Sequence, residues 1–160
     1  MTVADPATLN EITVTRVFDA PRAAVYRAWT EPELFARWWG PRGFTTDPGT
    51  VALDVRVGGT WKATMAAEGV GEFPFTGVYR EVVENERLVF TLVDPNDENV
   101  AARAARGEAE ELTTVGFADT EGGTRLSFQQ VGQVDAEKTA EVEAGWNSFL
   151  DSLGDHLAGA

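Results

Sequence analysis

Apolar residues recur at every second position through the middle of the chain and at every third or fourth position in two stretches, one near each end. Glu11 to Phe18 (EITVTRVF) is β-branched and aromatic and predicts a strand. Asp19-Ala20-Pro21 ends it, and Pro21 suits the first turn of a helix. Val25, Ala28 and Trp29 then follow helical spacing. Thr30-Glu31-Pro32-Glu33 reads as a capping box opening a second short helix with Leu34, Phe35, Trp38 and Trp39, closed by Gly40-Pro41.

From there the period is two. Val51, Leu53, Val55 and Val57 alternate with Ala52, Asp54 and Arg56, and Gly58-Gly59 signals a hairpin into Trp61, Ala63 and Met65. After a turn at Glu68 to Gly71, Phe73 to Val83 predicts a long strand, with Pro74 and Gly77 marking an edge or bend. Glu84-Asn85-Glu86 turns the chain into Arg87 to Val93. Leu112 to Ala118 and Thr124 to Val131 form two more strands around Glu121-Gly122-Gly123, which makes seven.

Between them, Asp94 to Glu110 is a polar connection with an Ala/Arg-rich piece of one or two helical turns. It is expected to be mobile and to gate any cavity. The last element is a long amphipathic helix to about Leu157, capped by Asp135 with Glu137 favouring its dipole. Val142, Trp146, Phe149, Leu150, Leu153 and Leu157 form its apolar stripe, with Glu141, Glu143, Asp151 and Asp155 off it. An antiparallel meander plus one long helix is an α+β pattern. A curved sheet around a helix need not fill all the space between them.

The 160 residues suit a single domain over 11–157, with 1–10 as a flexible N-terminus carrying Asp5 and no secretory signal. A chain 43% hydrophobic and 24% charged is ordinary for a globular fold, which excludes extensive disorder. No stretch approaches the roughly 18 apolar residues of a membrane span, so a cytoplasmic protein without membrane contact is expected. Thirteen basic against 26 acidic residues give a net charge of −13, which repels phosphate backbones and argues against a nucleic-acid partner.

The sequence offers little for catalysis. It has no cysteine, which excludes disulfides, thiolate metal sites and cysteine nucleophiles. His156 is the only histidine and, in the last turn of the last helix, suits the helix C-terminus as a cation. With no G-x-S-x-G elbow, neither zinc catalysis nor a Ser-His-Asp triad is expected. Gly58-Gly59 and Gly122-Gly123 open no helix in a βαβ unit, so neither is a nucleotide loop. No metal or cofactor is expected. Asp54, Arg56, Arg80 and Gln130 are the polar candidates; an Arg could meet a ligand carboxylate but more often pairs with a surface acid.

Several segments together carry a family resemblance. They are Phe18-Asp19-Ala20-Pro21 through Trp29-Thr30-Glu31-Pro32 to Trp38-Trp39-Gly40-Pro41, and Leu53 to Trp61 (LDVRVGGTW). Gly77-Val78-Tyr79 with Glu86 to Phe90, and Gly145-Trp146 with the Leu150, Leu153 and Leu157 ladder, complete the set. Across residues 11 to 157 the chain resembles bacterial proteins similar to the C-terminal domain of the activator of the heat-shock-protein-90 ATPase, within the START-like (SRPBCC) superfamily. The resemblance implies a helix-grip fold, in which a curved antiparallel sheet of about seven strands wraps a long C-terminal helix and two short helices follow the first strand.

That fold turns attention to the aromatic inventory of five Trp, nine Phe and two Tyr. Trp38, Phe44, Trp61, Phe75, Tyr79, Phe90, Phe117, Phe128, Trp146 and Phe149 are expected toward the space between helix and sheet, with Ala63, Met65 and Gln130 beside them. They either fill the core or line a cavity, and strand faces cannot be assigned where a bulge would reverse them. Three functions stay open. The first is binding of a small hydrophobic or aromatic molecule. The second is an enzyme like the polyketide cyclases of the superfamily, against which stands the lack of a clear acid/base pair. The third is a chaperone-interacting module, although the eukaryotic activators carry a separate N-terminal domain and only ten residues precede the first strand here.

Overall fold

The structure is a computed structural model and describes residues 10–93, 97–107, 111–132 and 139–159. Its elements run β1 (Asn10–Phe18), α1 (Arg22–Thr30), α2 (Pro32–Trp38), β2 (Thr45–Thr46), β3 (Ala52–Leu53), β4 (Thr60–Ala67), β5 (Gly71–Val83) and β6 (Arg87–Phe90). They continue through α3 (Glu98–Ala105), β7 (Thr113–Thr120), β8 (Gly123–Gly132) and α4 (Thr139–Gly159). One antiparallel sheet of eight strands follows the order β1-β8-β7-β6-β5-β4-β2, with β3 also on β4. The sheet curls around α4, and α1 and α2 close it from the side: the helix-grip arrangement.

Four expectations change in detail. The strand expected over Val51–Val57 shrinks to β3, because Asp54–Gly59 is spent on the turn. There Gly59 N–H donates to Arg56 O, and a Cβ on Gly59 would stand 2.0 Å from Asp54 O. The strand expected over Arg87–Val93 ends at Phe90; Thr91 N–H still donates to Val78 O, but its hydroxyl replaces a carbonyl in accepting from Val78 N–H and donates to Val93 O, which ends the ladder. The capping box does not form. Thr30 ends α1, its hydroxyl donating to Tyr26 O, and α2 starts from Glu31 with Pro32 in its first turn and no side-chain cap. The strand β2 carried no pattern in the sequence, being two residues long. The turns at 84–86 and 121–123 are present, the first with Asn85 at φ 61, a left-handed geometry that Asn tolerates.

Of the polar connection, Asp97 caps α3 by accepting from Asn99 and Val100 N–H, and none of α3 is buried. The rest of that connection, residues 94–96 and 108–110, lies outside the described residues, as do the expected Asp135 cap, Glu137 and positions 1–9. On α4, Trp146, Phe149, Leu150 and Leu153 are buried, while Val142 and Leu157 pack partly exposed at the ends of the stripe. No helix among the described residues is long and apolar enough to cross a membrane.

Candidate functional site

The interior divides by chemistry, and its aromatic part is organised around Trp39. Helix α2 ends at Trp38, and Gly40 follows Trp39 at φ 120, so the chain turns and Trp39 leaves the helical phase. Its backbone stays anchored, with N–H donating to Phe35 O and the carbonyl accepting from Thr46 hydroxyl at 2.7 Å. The ring stacks on Phe35 at 4.7 Å and 21° and meets Trp61 and Phe75 of the sheet edge-on at 5.5 and 5.4 Å. It also reaches Phe149 at 4.9 Å and Trp146 at 6.2 Å on α4. Such offset and edge-to-face pairs add to burial energy but fill space less evenly than aliphatic side chains.

Beside Trp39 lies a cavity of about 10 Å³, walled by Trp29, Phe35, Trp39, Trp61, Tyr79, Leu88 and Phe90. That is the space of roughly one water molecule. Gly77 shapes this wall: a Cβ there would stand 1.9 Å from Thr91 O and 2.5 Å from Trp61 Nε1, so only glycine lets Trp61 donate to Thr91 O at 3.0 Å. Trp38 donates to Ala28 O at 2.8 Å and Trp146 to Gln130 Oε1 at 3.0 Å. Trp29 and Trp39 differ: each Nε1 is buried without a partner among the described residues. A buried donor left so costs about 1–3 kcal/mol.

Of the thirteen residues expected at the site, Trp61, Tyr79 and Phe90 line the cavity. Trp38 is buried next to it but turned toward α1, 4.7 Å from the Trp29 ring. Phe75, Trp146 and Phe149 lie one layer away, against Trp39. Ala63 and Met65 are buried on the inner face of β4, opposite Phe75 and Phe73. Phe128 and Gln130 pair with Trp146 instead, Phe117 packs on Tyr26, and Phe44 packs on Phe73 near the rim. Sequence reasoning missed Trp29, Phe35, Trp39 and Leu88. Trp39 was hidden by the neighbouring Trp38: adjacent helical residues point about 100° apart, and only the end of α2 decides which faces the barrel.

No charged side chain lines the cavity. Tyr79 is its one titratable group; burial first, then Tyr26 and Asp54, push its phenol well above the ordinary range and keep it neutral. The polar candidates sit elsewhere: Arg56 Nε donates to both Asp54 oxygens at 3.0 and 2.9 Å on the surface, and Arg80 is exposed. His156 does not favour the expected cationic form. Burial first, then Arg37, lower its pKa from the ordinary 6.5. Among the described residues no cluster of three or more His, Asp or Glu is placed to hold a metal. An open hollow of about 780 Å³ lies between Gly43, Thr45 and the turn at 66–72, and none of these residues is aromatic.

Comparison with known proteins agrees with this architecture. No curated protein matches the chain. The solved structure of a Chromobacterium violaceum protein is 31% identical with a TM-score of 0.74, over 92% of this chain and 97% of that one. The solution structure of an AHSA1-like protein from Aeromonas hydrophila is 26% identical with a TM-score of 0.75, over 94% and 93%. An AHSA1 protein from Silicibacter pomeroyi shares the fold at 22% identity and a TM-score of 0.73, over 93% and 98%. The family model described as activator of Hsp90 ATPase homolog 1-like protein matches residues 19–158. The chain belongs to that family, within the START-like superfamily.

Proposed function

We propose that the protein binds a small, planar, apolar molecule between the sheet and the short helices α1 and α2, not directly against α4 as expected from the sequence, and that Trp39 gives up part of its place to admit it. One observation carries this reading: a gap in the core, walled wholly by aromatic residues and one leucine from α1, α2 and its C-terminal end, β4, β5 and β6. Apolar walls with few polar groups are what such a ligand needs. The gap itself is too small, since an apolar cavity that takes benzene has about 150 Å³. Trp39 is the ring whose movement would enlarge it. It touches both the sheet and α4, and the chain after it, Gly40 to Phe44, lies outside any helix or strand, with Gly40 and Gly43 at φ 120 and 95. Displaced, it would bring Trp146 and Phe149 to the ligand together with Trp61 and Phe90.

Family membership favours a second reading, a module that docks on a heat-shock ATPase. Cyclase-type catalysis has less behind it, because a proton must be given or taken inside the cavity and Tyr79 is the only titratable residue on its wall. The test of binding is extraction of small molecules from the purified protein, identified by mass spectrometry. Returned to emptied protein, the bound molecule is expected to raise the melting temperature and quench tryptophan emission. Protein that carries nothing, and whose melting temperature no apolar aromatic raises, would overturn the proposal in favour of the docking module.

A further inference from the structure

Resting on the reading of an apolar chamber, the two unpartnered indoles specify what it holds. Trp29 and Trp39 are 3% and 2% exposed, both line the cavity, and both Nε1–H groups are buried without an acceptor. The other three indoles all have one, so the packing is not indifferent to these groups. Native cores leave few such donors, and each calls for an explanation. We infer that Trp29 and Trp39 are the polar contacts of the ligand, and that the ligand is a neutral planar molecule bearing a carbonyl or equivalent oxygen acceptor.

Four features define that class. An indole N–H only donates, so its partner must accept, as a carbonyl oxygen does. The cavity of about 10 Å³ is too small for the molecule and leaves neither Nε1 accessible, so the ligand and its oxygen take the space that Trp39 yields. Charge is disfavoured. No cation stands on the wall to pair a carboxylate, no anion to pair an ammonium, and an unpaired ion in such surroundings bears its full desolvation cost. Planarity follows from the wall, where the rings of Phe35, Trp61 and Phe90 offer flat faces to whatever occupies the space Trp39 leaves.

A matched pair of probes tests this on the full chain: 1-indanone, and indane as its carbonyl-free counterpart. With the protein labelled in nitrogen, the indole resonances of Trp29 and Trp39 are expected to shift downfield with indanone and not with indane. Indanone is expected to bind roughly tenfold more tightly. Trp29→Phe and Trp39→Phe each keep an aromatic ring and remove one donor. Each is expected to reduce that preference, read as the ratio of indanone to indane affinity in the same variant, severalfold; if one variant does not fold, the other carries the test. Equal binding of the two probes, or a preference undiminished in the variants, overturns the ligand class and leaves the apolar chamber standing. Binding of neither probe overturns both.

Discussion

The two halves of the core are built differently. Where β1, β8 and β7 meet the second half of α4, the interior is largely aliphatic: Ile12, Val14, Val115, Leu126, Leu150 and Leu153 are buried. Polar groups at that end are matched, with Thr124 hydroxyl donating to Ala20 O at 2.7 Å and Arg16 donating to Asp151 at 2.7 Å and to Asn147 O at 3.3 Å. At Gly154, α4 lies beside Phe18, where a Cβ would make an ordinary contact with the ring at 3.4 Å. Around Trp39, by contrast, the interior is aromatic, leaves a gap, and holds two unpartnered donors. Branched aliphatic side chains fill space and hold the fold, whereas flat rings with polar edges leave openings. Stability and candidate binding are thus separated along one core.

The largest expected effect breaks both halves together. A chain ending at Gly132 loses α4 and with it four buried apolar residues of 1.5–3 kcal/mol each, about 6–12 kcal/mol, comparable to a domain's whole stability. No cooperative thermal transition is expected. Cooperative melting of that fragment would refute the grip of sheet on helix as the source of the fold.

Single substitutions sharpen the contrast. Leu153→Ala is expected to cost about 2–5 kcal/mol in chemical denaturation, because the aliphatic end cannot collapse into the space, and to leave ligand affinity alone. Trp39→Phe also removes buried area, but it removes an unmatched donor as well, so its loss is expected to stay below about 1 kcal/mol. Equal losses in the two variants would mean that the halves do not differ.

The smallest effect concerns pH. His156 has a folded-state pKa below the ordinary 6.5, so the unfolded chain takes up the proton first and stability falls as pH drops below 6.5. Asp155, paired with Arg42 and lowered from 3.8, adds a further loss as pH falls below that value. His156→Gln is expected to flatten the melting-temperature profile between pH 7 and 5 and leave the acid limb intact. An unchanged slope would show that His156 titrates alike in both states.

The elements were largely legible because each depends on local periodicity. The alternation of Trp61, Ala63 and Met65 does face the interior, and the α4 stripe is buried through its middle four residues. Signals that depend on neighbours in space were not. Whether Val55 and Val57 pair or turn is decided by the close approach of Gly59 to Asp54. The capping motif at Thr30 lost to a bond back to Tyr26. Arg56 found Asp54 at the surface, the commoner fate of such an Arg.

By itself the sequence determined the α+β class, the order of the elements and the chemical character of the interior, since each follows from residue type and a spacing of two or nearly four. Only the tertiary structure decided which rings meet and which donors go unmatched. Trp38 and Trp39 are equivalent as letters, yet one donates to Ala28 O and the other is buried without an acceptor. The difference arises where α2 stops and how the sheet curls over it. A cavity is made by several elements at once, so it has no period for a sequence to carry.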